Sequence, residues 1–174
     1  MVARLILLCL LTVPLSSVQA ASKTHAKAKP AEPQSSLNLT PQALQAGVQR
    51  FIKEEADCGS VTFESVRTQK KGAVIRQKLE REGAKVDMTL EVAKSGKVSN
   101  ARFAAPTKDP AHLTVMLCGT YALMRTLQPN PGNPAVARQA ALDLWQQAQQ
   151  KTYTKALGNA KFRAQMAPFE VNAF

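Results

Sequence analysis

The chain has 174 residues, of which 23 are Lys or Arg and 12 are Asp or Glu, a formal net charge of +11. That length excludes two ordinary domains with separate cores. The charge points to acidic partners: anionic lipid head groups, lipopolysaccharide, acidic glycans or released nucleic acid. With only 2 histidines and 3 cysteines, a metal centre or a histidine-based active site has little to draw on.

At the N-terminus Arg4 precedes an apolar run over residues 5–15, and Val18-Gln19-Ala20 sets small residues at minus three and minus one. This reads as a secretory signal, residues 1–20, cut after Ala20. The alternative is a retained membrane anchor, which needs about twenty apolar residues, whereas this run is shorter and broken by Pro14. Cys9 follows Leu8 inside the run, so it does not mark a lipoprotein cleavage point. The expected location is therefore periplasmic or secreted, with no stable membrane span after cleavage.

Residues 21–39 read as a disordered basic linker, in which Lys23, Lys27 and Lys29 alternate with Ala, Thr and Pro. Residues 40–174 are expected to form a single α+β domain. Cys9 leaves with the signal, so Cys58 and Cys118 remain as a pair in an oxidising compartment and are expected to form a disulfide. Closing that loop should stabilise the fold by roughly 4 kcal/mol in the chain-entropy model. A reactive thiol or metal site is the lesser reading, because neither cysteine belongs to a C-x-x-C pair and His112 is the only histidine near either in sequence.

Ordered structure is expected to begin at Thr40, an N-cap, with Pro41 in the first helical position. Leu44, Val48, Phe51 and Ile52 then recur at helical spacing up to about Asp57, and Gly59 can terminate the helix. Between residues 60 and 105 the period changes to 2. In 85–92, Val86, Met88, Leu90 and Val92 alternate with Lys85, Asp87, Thr89 and Glu91, the pattern of a strand with one buried and one wet face. Residues 94–97 make a turn and 98–104 the return strand. Two weaker strands, 61–67 and 73–79, flank a turn at Lys70-Lys71-Gly72, with a further turn at Glu82-Gly83, giving an antiparallel meander of about four strands.

After Pro106 the helical period returns. Asp109 caps, Pro110 occupies the first turn, and Leu113, Met116, Leu117, Met124 and Leu127 form an apolar face that Val115, Cys118 and Ala122 broaden. Residues 128–134 stop this helix. Asn133 caps another, with Val136, Ala140, Leu144 and Ala148 facing inward and Trp145 beside them as a core anchor. The tail, with Phe162, Phe169, Val171 and Phe174, reads as a packing arm or short edge strand. The expected fold is thus α+β: an N-terminal helix, an antiparallel sheet of about four strands, C-terminal helices packed on one face, and one disulfide.

Few residues offer chemistry. His25 lies in the linker, which leaves His112, three residues after Asp109, where the carboxylate could orient it as a general base. The simpler reading has Asp109 capping the helix and His112 exposed. No G-x-S-x-G motif follows a strand, and no metal-ligand spacing, phosphate-cradling glycine loop or calcium loop occurs, so no cofactor or metal and no catalytic residue is assigned. Arg67, Lys70, Lys71, Arg76 and Lys78 form a candidate basic patch. A sequence-tolerant single-strand binder would want stacking aromatics there, and Phe63 is the only one nearby, so an anionic envelope surface is preferred over nucleic acid.

Residues 86–134 have an outline that resembles a known family. The alternating strand, the Ser95-Gly96-Lys97-Val98 turn, the second strand and the helix opened by Asp109-Pro110-Ala111 and closed by prolines look like the C-terminal domain of TonB and TolA envelope proteins. Cys118 within the helix is also similar to some TolA domains. The resemblance implies a non-enzymatic module that binds partner proteins, partly through an exposed sheet edge, for which the candidate residues are Lys85, Asp87, Thr89 and Glu91. The expected function is an exported binding or accessory protein of the bacterial cell envelope, engaging a protein partner or an anionic component. The alternatives are a periplasmic immunity or inhibitor protein, or a secreted hydrolase using His112.

Overall fold

The computed structural model describes residues 37–68, 73–128 and 133–174. The expected leader, the linker up to residue 36, Lys70, Lys71 and residues 129–132 lie outside the described residues.

Thr40 accepts a hydrogen bond from the Ala43 N–H at 3.2 Å and opens α1 (Pro41–Glu54), with Pro41 in the first turn. Leu44, Val48, Phe51 and Ile52 are buried on one side of it. A single 3-10 turn (Ala56–Cys58) follows. Then come β1 (Thr62–Phe63), β2 (Arg67–Thr68), β3 (Val74–Arg81), β4 (Ala84–Val92) and β5 (Val98–Ala104). The two-residue turn from β3 to β4 puts Glu82 at φ 52° and Gly83 at φ 83°, the left-handed pair that matches a hairpin's twist and that glycine adopts without strain. Asp109 accepts the His112 N–H and opens α2 (Pro110–Leu127), and Asn133 accepts the Ala135 N–H and opens α3 (Pro134–Ala148). The chain ends in β6 (Tyr153–Leu157), β7 (Ala160–Met166) and β8 (Phe169–Ala173).

The sheet has eight strands, all antiparallel, in the order β1-β3-β4-β5-β8-β7-β6, with β2 also pairing β3. The expected sheet of about four strands is therefore corrected to twice that size, while the α+β class, the helices on one face and the disulfide stand. The difference lies in the tail. Turns at Gly158-Asn159 and Ala167-Pro168 fold it into a second meander, β6-β7-β8. Its last strand sits inside the sheet between β5 and β7 rather than at an edge. The tail's inward positions include Ala160, Ala164 and Ala173, whose small side chains give a faint alternation. On the N-terminal side, the segment expected as one strand at 61–67 is two short pieces, β1 and β2, bridged by the Glu64 N–H donating to the Lys78 carbonyl at 3.0 Å.

The two meanders join where β5 pairs with β8, Phe103 opposite Val171. Helix α2 lies across β3, β4 and β5, α3 across β6 and β7, and α1 packs on α2. The core between the layers holds Leu79, Met88, Leu90, Phe103 and Phe162 from the sheet against Met116, Leu123, Met124 and Leu144 from the helices, all fully buried. Trp145 is buried as expected, edge-on to Phe169 with ring centroids 5.0 Å apart. Val136, expected to face inward, is 49 % exposed near the start of α3. Cys58 and Cys118 form the disulfide, Cα atoms 5.6 Å apart, tying the 3-10 turn to the middle of α2.

Candidate binding face

The helices cover one face of the sheet, and the register shows what stands on the other. Arg67 of β2 lies opposite Arg76 of β3, Arg76 opposite Thr89 of β4, and Thr89 opposite Arg102 of β5. Arg102 lies opposite Asn172 of β8, and Asn172 opposite Arg163 of β7. Directly paired residues share a face, so one row, Arg67-Arg76-Thr89-Arg102-Asn172-Arg163, crosses six strands. At the usual strand spacing it runs about 24 Å. The row beside it is Lys78-Asp87-Ala104-Glu170-Gln165. The strand period demanded these outward positions on β3, β4, β5, β7 and β8, whose alternate residues are in the core.

The charges on this face are unbalanced. Arg102 pairs with Glu170 at 2.6 Å, and that carboxylate, largely buried, also accepts from Gln165 at 3.1 Å and Asn172 at 3.2 Å. At one end Lys85 holds both Glu64 (3.0 Å) and Glu80 (3.2 Å). Lys85's hydrogen bond lowers the pKa of Glu64's carboxyl, and Glu64 and Glu80 in turn raise that of the ammonium. Among the described residues, Arg67, Arg76, Lys78 and Arg163 have no ion-pair partner. Arg67 directly opposite Arg76 is a like-charge pair, which destabilises an isolated sheet. Arg67, Arg76, Lys78 and Arg102 line a groove of about 660 Å³ together with Glu64, Ser65, Asp87 and Thr89.

Three of the five residues of the candidate basic patch, Arg67, Arg76 and Lys78, thus meet on one surface, and Lys70 and Lys71 fall outside the described residues. Sequence reasoning missed Arg102 and Arg163. Each stands at an outward position of its own strand, but only the β4-β5 and β8-β7 pairings bring them into the row. Lys85, Asp87, Thr89 and Glu91, the candidates for edge-strand binding, are on β4, which is paired along both sides, with β3 and β5. Its backbone groups are already engaged, so these side chains belong to the open face and not to an edge. The edges of the sheet are the broken β1/β2 and β6.

At the start of α2, Asp109 Oδ1 takes the His112 N–H at 3.0 Å, while Oδ2 lies 2.8 Å from His112 Nδ1 and accepts from the Thr107 hydroxyl at 2.6 Å. The His112 backbone N–H, then Thr107 and the His112 ring, hold the Asp109 carboxyl well below the ordinary carboxylate range. The cap and the ring contact therefore coexist, and the hydroxyl within reach is that of Thr107, 3.0 Å from His112 Nδ1. His112 contributes to none of the clefts described here. Among the described residues no group of three or more His, Cys, Asp or Glu could hold a metal ion, and no helix is long and apolar enough to cross a membrane. No protein-family model, no curated protein and no solved structure matches this chain.

Proposed function

We propose that this chain is an exported, non-enzymatic binding or accessory protein of the bacterial cell envelope that engages a phosphate- or carboxylate-bearing partner through the open face of its sheet. The observation that carries the reading is the row of arginines, in which Arg67, Arg76 and Arg163 have no carboxylate of their own among the described residues. A guanidinium presents a planar fork that fits both phosphate and carboxylate oxygens, and several in a row favour an extended anionic surface over a single ion. Such a face attracts its partner at a distance and loses it to salt. An acidic protein, as in an immunity or inhibitor role, would use the same residues.

The test is co-sedimentation of the protein purified from the cells that make it with vesicles of phosphatidylglycerol or of phosphatidylcholine. Binding is expected to the anionic vesicles alone and to disappear at about 0.5 M salt. Arg67→Glu with Arg76→Glu should weaken it at least roughly tenfold. Equal binding to neutral vesicles, or indifference to the double variant, would overturn the reading. Crosslinking of a single acidic protein in place of lipid would move it to the inhibitor form.

A further inference from the structure

We propose that a separate cleft on the helical side, between α1 and the C-terminal half of α2, binds a small amphipathic carboxylate, an organic anion with one charged head and a short apolar body. The cleft encloses about 310 Å³, at the lower end for small-molecule sites. Leu39, Ala43, Ala46 and Phe51 form its apolar walls, and Arg50 and Arg125 supply its charge.

Arg125 sets this cleft apart from an ordinary groove between helices. It is only 9 % exposed, and arginine does not shed its charge at any pH a folded protein meets. A guanidinium withdrawn from water needs acceptors for five N–H groups and a counter-charge. Among the described residues it has one acceptor, the Tyr121 hydroxyl, 2.9 Å from Nη1. Its Nε is sealed from solvent without a partner. The rings of Phe51 and Tyr121 lie 4.3 and 5.9 Å from the guanidinium carbon. They attract the cation but take up few of its N–H groups.

The counter-charge is also incomplete. Glu55 lies near enough to the Tyr121 hydroxyl to help raise its pKa, after burial, and Glu55 is held by Arg138 with both oxygens, at 2.6 and 2.8 Å. Glu55 therefore serves two guanidiniums, with Asp57 also acting on Arg138, and the negative charge that reaches Arg125 is shared and indirect. Arg50 adds another positive charge at the mouth, its guanidinium 4.4 Å from the Phe51 ring. Its own contact with Glu54, 3.8 Å between two exposed side chains, is the kind that water largely screens. A carboxylate seated here supplies a direct counter-charge to Arg125 without reaching its sealed Nε, and Leu39, Ala43 and Ala46 shield an apolar body. The walls select against a fully hydrated inorganic anion.

Octanoate is the probe, titrated into the protein purified from its own cells and followed by amide NMR shifts, with octanol and inorganic phosphate as comparisons. Expected are saturable shifts around residues 43–51 and 125–126 with octanoate only. Ala46→Trp, at an exposed position that can fill the mouth without entering the core, should abolish them while leaving the thermal melt unchanged. Arg50→Gln should weaken binding several-fold. Arg76→Glu, on the opposite face, should leave binding unaltered, which separates this site from the sheet surface. The proposal is overturned by an absence of saturation up to about 10 mM, an affinity in the weakest range for specific binding. Equal response to octanol or phosphate, persistence of the shifts in Ala46→Trp, or their loss in Arg76→Glu would overturn it as well.

Discussion

Thr120 is a small buried residue that ties two helices together. Its hydroxyl donates to the Met116 carbonyl at 2.7 Å and accepts the Trp145 indole N–H at 3.0 Å, so α2 and α3 meet through one oxygen. Thr120→Val keeps the shape and leaves the indole N–H without a partner, which should cost about 1–3 kcal/mol, read as a lower urea midpoint with an unchanged m-value. Glu55 gives a test of a different kind. Arg138's hydrogen bonds lower its pKa further than burial raises it, and Tyr121 and Arg125 add to the lowering. Its folded pKa therefore lies below its unfolded value of about 4.3. The stability it contributes is complete above that value and is lost as pH falls through the lower folded one. In Glu55→Gln, urea midpoints measured against pH should fall short of the wild type above pH about 4.3 and converge with it in stronger acid. A gap that stays constant at all pH values would show that the charge is not responsible.

Between elements, α1 and α2 approach closely at one point. Gly47 faces Thr126 so closely that an added Cβ would lie 2.5 Å from its Cγ2 and 2.8 Å from its Oγ1. In an exposed helix Gly→Ala stabilises by about 1 kcal/mol, but here the clash reverses the sign. Gly47→Ala is expected to destabilise by about 1–3 kcal/mol. Adding Thr126→Ala should restore most of that loss, and calorimetry of the two single variants and the double variant closes the cycle. A stabilising Gly47→Ala would mean the helices separate readily at this point. The same contact explains why helix starts were legible and helix packing was not. Thr40-Pro41, Asp109-Pro110 and Asn133-Pro134 each announce a start through local cap chemistry, whereas nothing local to Gly47 reveals which helix it touches.

At the scale of the molecule, the sheet has two ends of unequal quality around a well-paired middle. β4, β5 and β8 have neighbours on both sides, while one edge is the broken β1/β2 and the other is the five-residue β6. Native-state hydrogen exchange should therefore be slowest for the amides of β4, β5 and β8 and fastest in β1, β2 and β6. Protection of β6 equal to that of β5 would indicate that another chain covers this edge in solution. Short or broken edges restrain pairing between copies, which leaves the polar face as the broad surface of the sheet open to a partner among the described residues.

Much of the local structure was determined by the sequence alone. Cap residues marked the starts of α1, α2 and α3, the alternation from Val86 to Val92 marked a half-buried strand and its outward residues, and the pair Cys58 and Cys118 marked the disulfide. These are short-range matters, decided by backbone donors at helix ends and by side-chain period. Tertiary structure decided the rest: that the tail is three strands, that β8 inserts beside β5, that β4 is interior, and that Arg102 and Arg163 extend the row begun by Arg67 and Arg76. Those outcomes depend on pairing between strands far apart in the chain, and strand period specifies a face but not a neighbour. The buried Arg125 was hidden for the same reason, since its surroundings come from two helices separated by the first meander.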